Sequence, residues 1–128
     1  MKINDFLDES GEIRPDLFDK EARDIAGEFS KEKISTHQVR KFFDEVKRYK
    51  SRLERNESYS RLKPLIIMMK SKAHYAANKK KEMKVFAEFI NQAIDKIKTG
   101  GEEVEKKKFL AFCLLFEAVY GFADLKNN

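Results

Sequence analysis

Apolar positions recur along most of the chain at intervals of three and four, the spacing of helices that each bury one face. Leu17, Phe18, Ala22, Ile25, Ala26 and Phe29 keep that rhythm behind Pro15. Proline can open a helix, because its missing N–H would be unpaired there, and Asp16 and Asp19 then suit the positive end of the helix dipole. A second helix is predicted from 36 to about 55. Ser35 and Gln38 have capping-box spacing ahead of it, and Val39, Phe42, Phe43, Val46, Tyr49 and Leu53 form its apolar stripe. Residues 56–60 read as a loop. A third helix follows, capped by Ser58 or Ser60, with Pro64 near its start and Leu62, Leu65, Ile66, Met69, Ala73 and Ala76 buried. Asn78 is its expected left-handed terminator, since asparagine tolerates that backbone. Met83, Phe86, Ile90, Ala93, Ile94 and Ile97 mark a fourth helix over 82–98, stopped by Gly100-Gly101. The fifth runs from Glu102 to about Tyr120. Its block 109–116 is apolar all round, so its own domain or another subunit must cover it on several sides.

The whole is read as an all-α protein, a compact bundle of about five helices. With 128 residues it has the length of one domain, and 5 Gly with 2 Pro are too few for many strands and turns. Two regions are expected: an acidic N-terminal arm over 1–33 with a short helix, and a helical bundle over 34–128. Residues 1–9 read as loose, and the polar tail beyond Leu125 as frayed. No stretch is apolar for the length of a membrane span, and the first twenty residues carry six acids and no apolar block. The expected location is the cytoplasm, with no membrane partner.

Charge changes the picture. Residues 1–30 hold 4 basic and 9 acidic side chains, residues 31–81 hold 16 and 5, and residues 82–128 hold 7 and 8. A mild overall excess of +5 therefore conceals a strongly basic middle. Lys and Arg concentrated in one stretch attract polyanions, although a solvated, lysine-rich helix surface is the plainer account. On the second helix, Lys41, Arg48, Arg52 and Arg55 project opposite the apolar stripe, with Arg40 and Lys47 on a flank. On the third, Lys63, Lys70 and His74 lie away from the buried face. Lys79 begins a run of three lysines at the end, where the helix dipole also favours cations. Such rows can follow a phosphate backbone and carry no logic for reading bases, so sequence-independent contact is implied. His74 and Tyr75 could stack on bases or sugars, and Tyr75 reads equally as a core-edge aromatic.

Catalytic chemistry finds little support. The single cysteine, Cys113, sits in the most apolar segment and reads as a buried structural thiol. The two histidines are 37 residues apart, which gives no metal spacing. Asp5, Asp8, Glu9 and Glu12 do not match a calcium loop and read as solvated acids. No glycine-rich phosphate loop is present. The expectation is a protein that is not an enzyme and holds no cofactor and no metal. Two classes compete: an RNA-contacting subunit, and a protein–protein adaptor that docks through the fifth helix while its lysines only confer solubility. A helical DNA regulator is weaker still, because no recognition helix with base-reading residues stands out.

Ile34-Ser35-Thr36-His37-Gln38-Val39-Arg40, followed by Glu45-Val46-Lys47-Arg48, resembles the opening of the small subunit of type III-A CRISPR (Csm) effector complexes. Lys70-Ser71-Lys72-Ala73-His74-Tyr75-Ala76-Ala77-Asn78-Lys79 is similar to that family's Lys-x-Lys-x-x-Tyr-x-Ala-Gly-Arg segment, with Asn78 for Gly and Lys79 for Arg. Phe86-Ala87-Glu88-Phe89-Ile90, Lys108-Phe109-Leu110-Ala111-Phe112-Cys113 and Phe116-Glu117-Ala118 resemble its last two helices. The likeness spans residues 34–120 in order. It implies a small, non-catalytic helical subunit of an antiviral ribonucleoprotein. Copies would line the complex opposite the guide-holding backbone subunits, contact guide RNA and target RNA, and touch one another head to tail. Carried over by position, Arg40, Lys47, Arg48, Lys70, Lys72 and Lys79 would contact RNA, and Thr36 would add a hydroxyl beside its helix-capping role. Lys41, Arg52 and Arg55 rest on the helical-face argument alone.

Overall fold

Each stripe predicts a helix, and each is there, but the first begins at Lys20 rather than behind Pro15, because Asp19 at φ −122° and ψ −90° interrupts it. A computed structural model describes residues 1–126. It has five helices: α1 (Lys20–Lys31), α2 (Thr36–Glu54), α3 (Tyr59–Lys79), α4 (Lys84–Ile97) and α5 (Glu102–Phe122). No strands are present among the described residues. Pro15–Phe18 forms a 3-10 turn ahead of α1, and Lys81–Met83 another ahead of α4. The expected all-α bundle is therefore the observed fold.

Local chemistry sets the boundaries. The Gln38 N–H donates to Ser35 Oγ at 3.4 Å and caps α2. Asn56, with φ 69°, turns the chain after α2 through the left-handed region. That conformation was expected at Asn78, and there the expectation fails. Asn78 is helical, α3 continues through Lys79, and the chain leaves through extended Lys80 at φ −132°. The Lys80 N–H still donates to the Ala76 carbonyl at 2.9 Å, and Met83 N–H to Lys80 at 2.9 Å. The helix thus hands over to the next turn without a reversal that needs positive φ. Gly100 and Gly101, at φ 121° and 91°, supply the reversal before α5.

α4 and α5 form the centre, in contact with α1 on the one hand and with α2 and α3 on the other. Phenylalanine rings fill it. Phe89 meets Phe29 at 5.5 Å and Phe116 at 5.5 Å, both edge to face, and Phe86 lies 4.9 Å from Phe42. The apolar block of α5 is covered largely by its own domain: Phe109, Ala111, Phe112, Cys113, Leu115 and Phe116 are buried, and Leu114 is exposed.

The N-terminal segment is not loose. Ile3 and Phe6 are buried in the same core as the helices. The Ile3 N–H donates to Gln92 Oε1 at 2.8 Å, and Gln92 Nε2 donates to the Met1 carbonyl at 2.9 Å. Ile3 and Phe6, in a polar stretch, show no helical rhythm, yet both are buried in the core. At the other end, Thr36 N–H donates to the Lys126 carbonyl and Lys126 N–H to the Ile34 carbonyl, both at 2.9 Å. Fraying therefore does not begin at Lys126, and the rest of that expectation lies outside the described residues.

Candidate nucleic-acid interface

Burial of Val39, Phe42, Val46, Tyr49 and Leu53 fixes the rotation of α2. One turn apart along its α3-facing edge come Lys41, Glu45, Arg48 and Arg52. α3 buries Leu62, Ile66, Met69 and Ala73. Lys72, Tyr75 and Lys79 stand on its α2-facing edge, as the shared groove shows. The two edges enclose a groove of about 340 Å³. Its rim carries Lys41, Lys72, Lys79 and Lys80, and its floor holds Phe42 and Glu45. Tyr75 is 64% exposed there, with Lys79 Nζ 5.2 Å from its ring centroid. Four cations, from α2, from α3 and from the residue that ends α3, thus face one carboxylate.

That carboxylate, Glu45, is buried. Its Oε2 accepts from the Tyr49 hydroxyl and from Lys72 Nζ at 2.8 Å. Burial, and then the bond to Glu45, raises the Tyr49 phenol well above its ordinary range, so it stays a donor.

The remaining sequence-derived candidates divide by location. Lys70 and His74 lie on the opposite flank of α3, beside α4. Lys70 Nζ there pairs with Asp95 Oδ1 at 2.6 Å, and its hydrogen bond leads the causes that hold the Asp95 carboxyl below its usual range. Arg40 and Lys47 flank Phe43, which packs on Phe116 and Tyr120 of α5, so they occupy the other shoulder of α2. Lys47 Nζ sits 5.3 Å over the Phe43 ring. Arg52 extends the groove edge, but Glu57 holds it through two bonds at 2.9 and 2.6 Å. Arg55 follows at the exposed end of α2, and Thr36 is half-buried at its start. Among the described residues, Arg40, Lys41, Lys47, Arg48, Arg55, Lys79 and Lys80 make no ion pair. A paired cation is largely neutralised at a distance, so these seven keep their full charge for an outside anion, whereas Lys70, Lys72 and Arg52 do not.

Sequence reasoning left Lys80 and Gln38 out of the site and gave Glu45 no part in it. A signal for Glu45 was present: an acid one turn before Tyr49, inside an apolar stripe. Among the described residues, no serine, threonine, cysteine or histidine lines the groove. Cys113 lies in the core, where burial pushes its thiol up to about 12.

No helix among the described residues is long and apolar enough to cross a membrane. A family model described as Csm2 Type III-A matches residues 12–124 of the chain. No curated protein and no solved structure matches it.

Proposed function

The chain belongs to the Csm2 Type III-A family, the structural small subunit of the Csm complex, and from that premise we propose that it holds RNA through the α2–α3 edge. The gathering of Lys41, Lys72, Lys79 and Lys80 around one groove carries this reading. Arg48 and Arg55 continue the row along α2, whose rise of about 1.5 Å per residue lets cations one or two turns apart meet successive phosphates. Each phosphate neutralised releases condensed counterions, which makes binding favourable at low salt and weak at high salt. The strands are guide RNA and target RNA, and the lysines and arginines of this edge contact their phosphate backbone. The subunit performs no chemistry of its own and supports antiviral defence by holding the duplex in place. Repeated copies, touching one another and the backbone subunits, multiply weak single contacts.

The adaptor reading loses its docking element, because α5 is mostly covered by its own domain. The decisive experiment is a salt titration of single-stranded RNA binding. Lys41→Ala, Arg48→Ala and Lys79→Ala together are expected to weaken binding at least tenfold at low salt and to reduce the log–log salt slope by about 2. Removing Lys20, Arg23 and Lys31 from α1 should change neither. Unchanged affinity and slope in the first variant would sink the assignment.

A further inference from the structure

The α2–α3 groove has an anionic floor, which a plain phosphate cradle does not need. Glu45 is 7% exposed, and both its protein partners, Tyr49 and Lys72, bond to Oε2. Oε1 accepts nothing from the described residues. Among these, no buried side-chain oxygen lacks a partner, so Oε1 opens to the groove. A phosphate seated beside it would meet a like charge. At the rim, Lys41, Lys79 and Lys80 offer cations instead. The floor therefore suits a neutral group with N–H donors, and the exposed ring of Tyr75 offers that group a stacking wall.

We propose that this groove receives one unpaired nucleotide and prefers guanine to uracil, with the base against Tyr75, its donor edge on Glu45 Oε1 and its phosphate at the lysine rim. The proposal rests on the RNA-binding reading above and adds a base preference to it. Guanine presents N1–H and N2–H₂ side by side, a match for a carboxylate. Uracil's single N–H lies between two carbonyl oxygens that a carboxylate repels. The groove, at about 340 Å³, falls within the range of roughly 300–1,000 Å³ usual for small-ligand sites. Reading a splayed base by its pairing edge while stacking it on an aromatic ring is a common solution for single-stranded RNA.

The test compares two short labelled RNAs on the full chain at one low salt concentration: an oligouridylate, and the same oligomer with one central guanosine. The guanosine oligomer is expected to bind about tenfold more tightly, the size of one good base contact. Glu45→Gln should bring the ratio near unity with a salt slope no shallower than the parent's, because Lys72 loses its paired charge. Tyr75→Ala, at an exposed side chain, should lower the ratio without affecting folding. Equal binding of both oligomers by the unaltered protein, with salt dependence intact, overturns the base pocket and leaves the basic edge standing. A ratio that survives Glu45→Gln overturns the role of the carboxylate. Binding of neither RNA at low salt overturns both proposals.

Discussion

Glu105 is an acid inside an apolar stripe, as Glu45 is, but its surroundings close on it completely. Lys63 Nζ approaches its Oε1 at 2.8 Å, the Tyr59 hydroxyl donates to the same oxygen at 3.2 Å, and Gly101 N–H donates to Oε2 at 3.1 Å. Burial alone would raise this carboxyl. The bonds from Lys63 and Tyr59 outweigh it and hold the group below its ordinary value of 4.5. Because the folded value is the lower one, its contribution is fully present above the unfolded range. It is lost as pH falls from about 5 through the depressed folded value. Glu105→Gln should cost about 1–3 kcal/mol at neutral pH in urea unfolding, since Lys63 and Tyr59 lose a charged acceptor. The variant should also lose less stability than the parent on acidification from pH 5. An equal loss would mean that other carboxylates carry the acid sensitivity. An acid at a stripe position was legible in both cases. Its partners were not, because Tyr59 and Lys63 come from another helix 46 and 42 positions away.

Helix periodicity locates the buried stripe of α3 and says that lysines avoid it. It does not say which neighbour stands on which side. Lys72 and Lys79 flank the stripe on one edge, Lys70 and His74 on the other, and only the positions of α2 and α4 divide them into a groove and a separate ion pair with Asp95. The same limit explains the N-terminal segment. Helical and strand rhythms identify elements that bury a face, whereas Ile3 and Phe6 bury singly from an irregular strand of chain. Phe6 is 1% exposed in the common core. Phe6→Ala should therefore cost about 3 kcal/mol, as for other buried aromatic rings, measured as a lowered urea midpoint with an unchanged slope. A midpoint equal to that of the parent would restore the picture of a loose arm.

At the scale of the molecule, the charge asymmetry along the sequence becomes a separation in space. The acidic first thirty residues pack on α4 and α5 from one side, and the basic α2 and α3 pack on the same pair from elsewhere. The sequence showed the two blocks, but their placement around a shared centre required the fold. If copies meet pole to pole, as the proposed head-to-tail stacking requires, the contact is heterologous, does not close on itself and continues into a row. The attraction between unlike poles acts over a Debye length of about 10 Å at 0.1 M salt and fades to about 3 Å at 1 M. Light scattering of the isolated chain should thus report a mean mass that rises with concentration at low salt and falls to the monomer value near 1 M. Replacing the exposed acids Asp16, Asp24 and Glu32 with Lys should abolish the rise. It should leave the fold unchanged, because none of the three is buried. If association persists in that variant and at high salt, apolar contacts hold the copies together. The exposed Leu114 and Phe122 of α5 would then become the residues to alter.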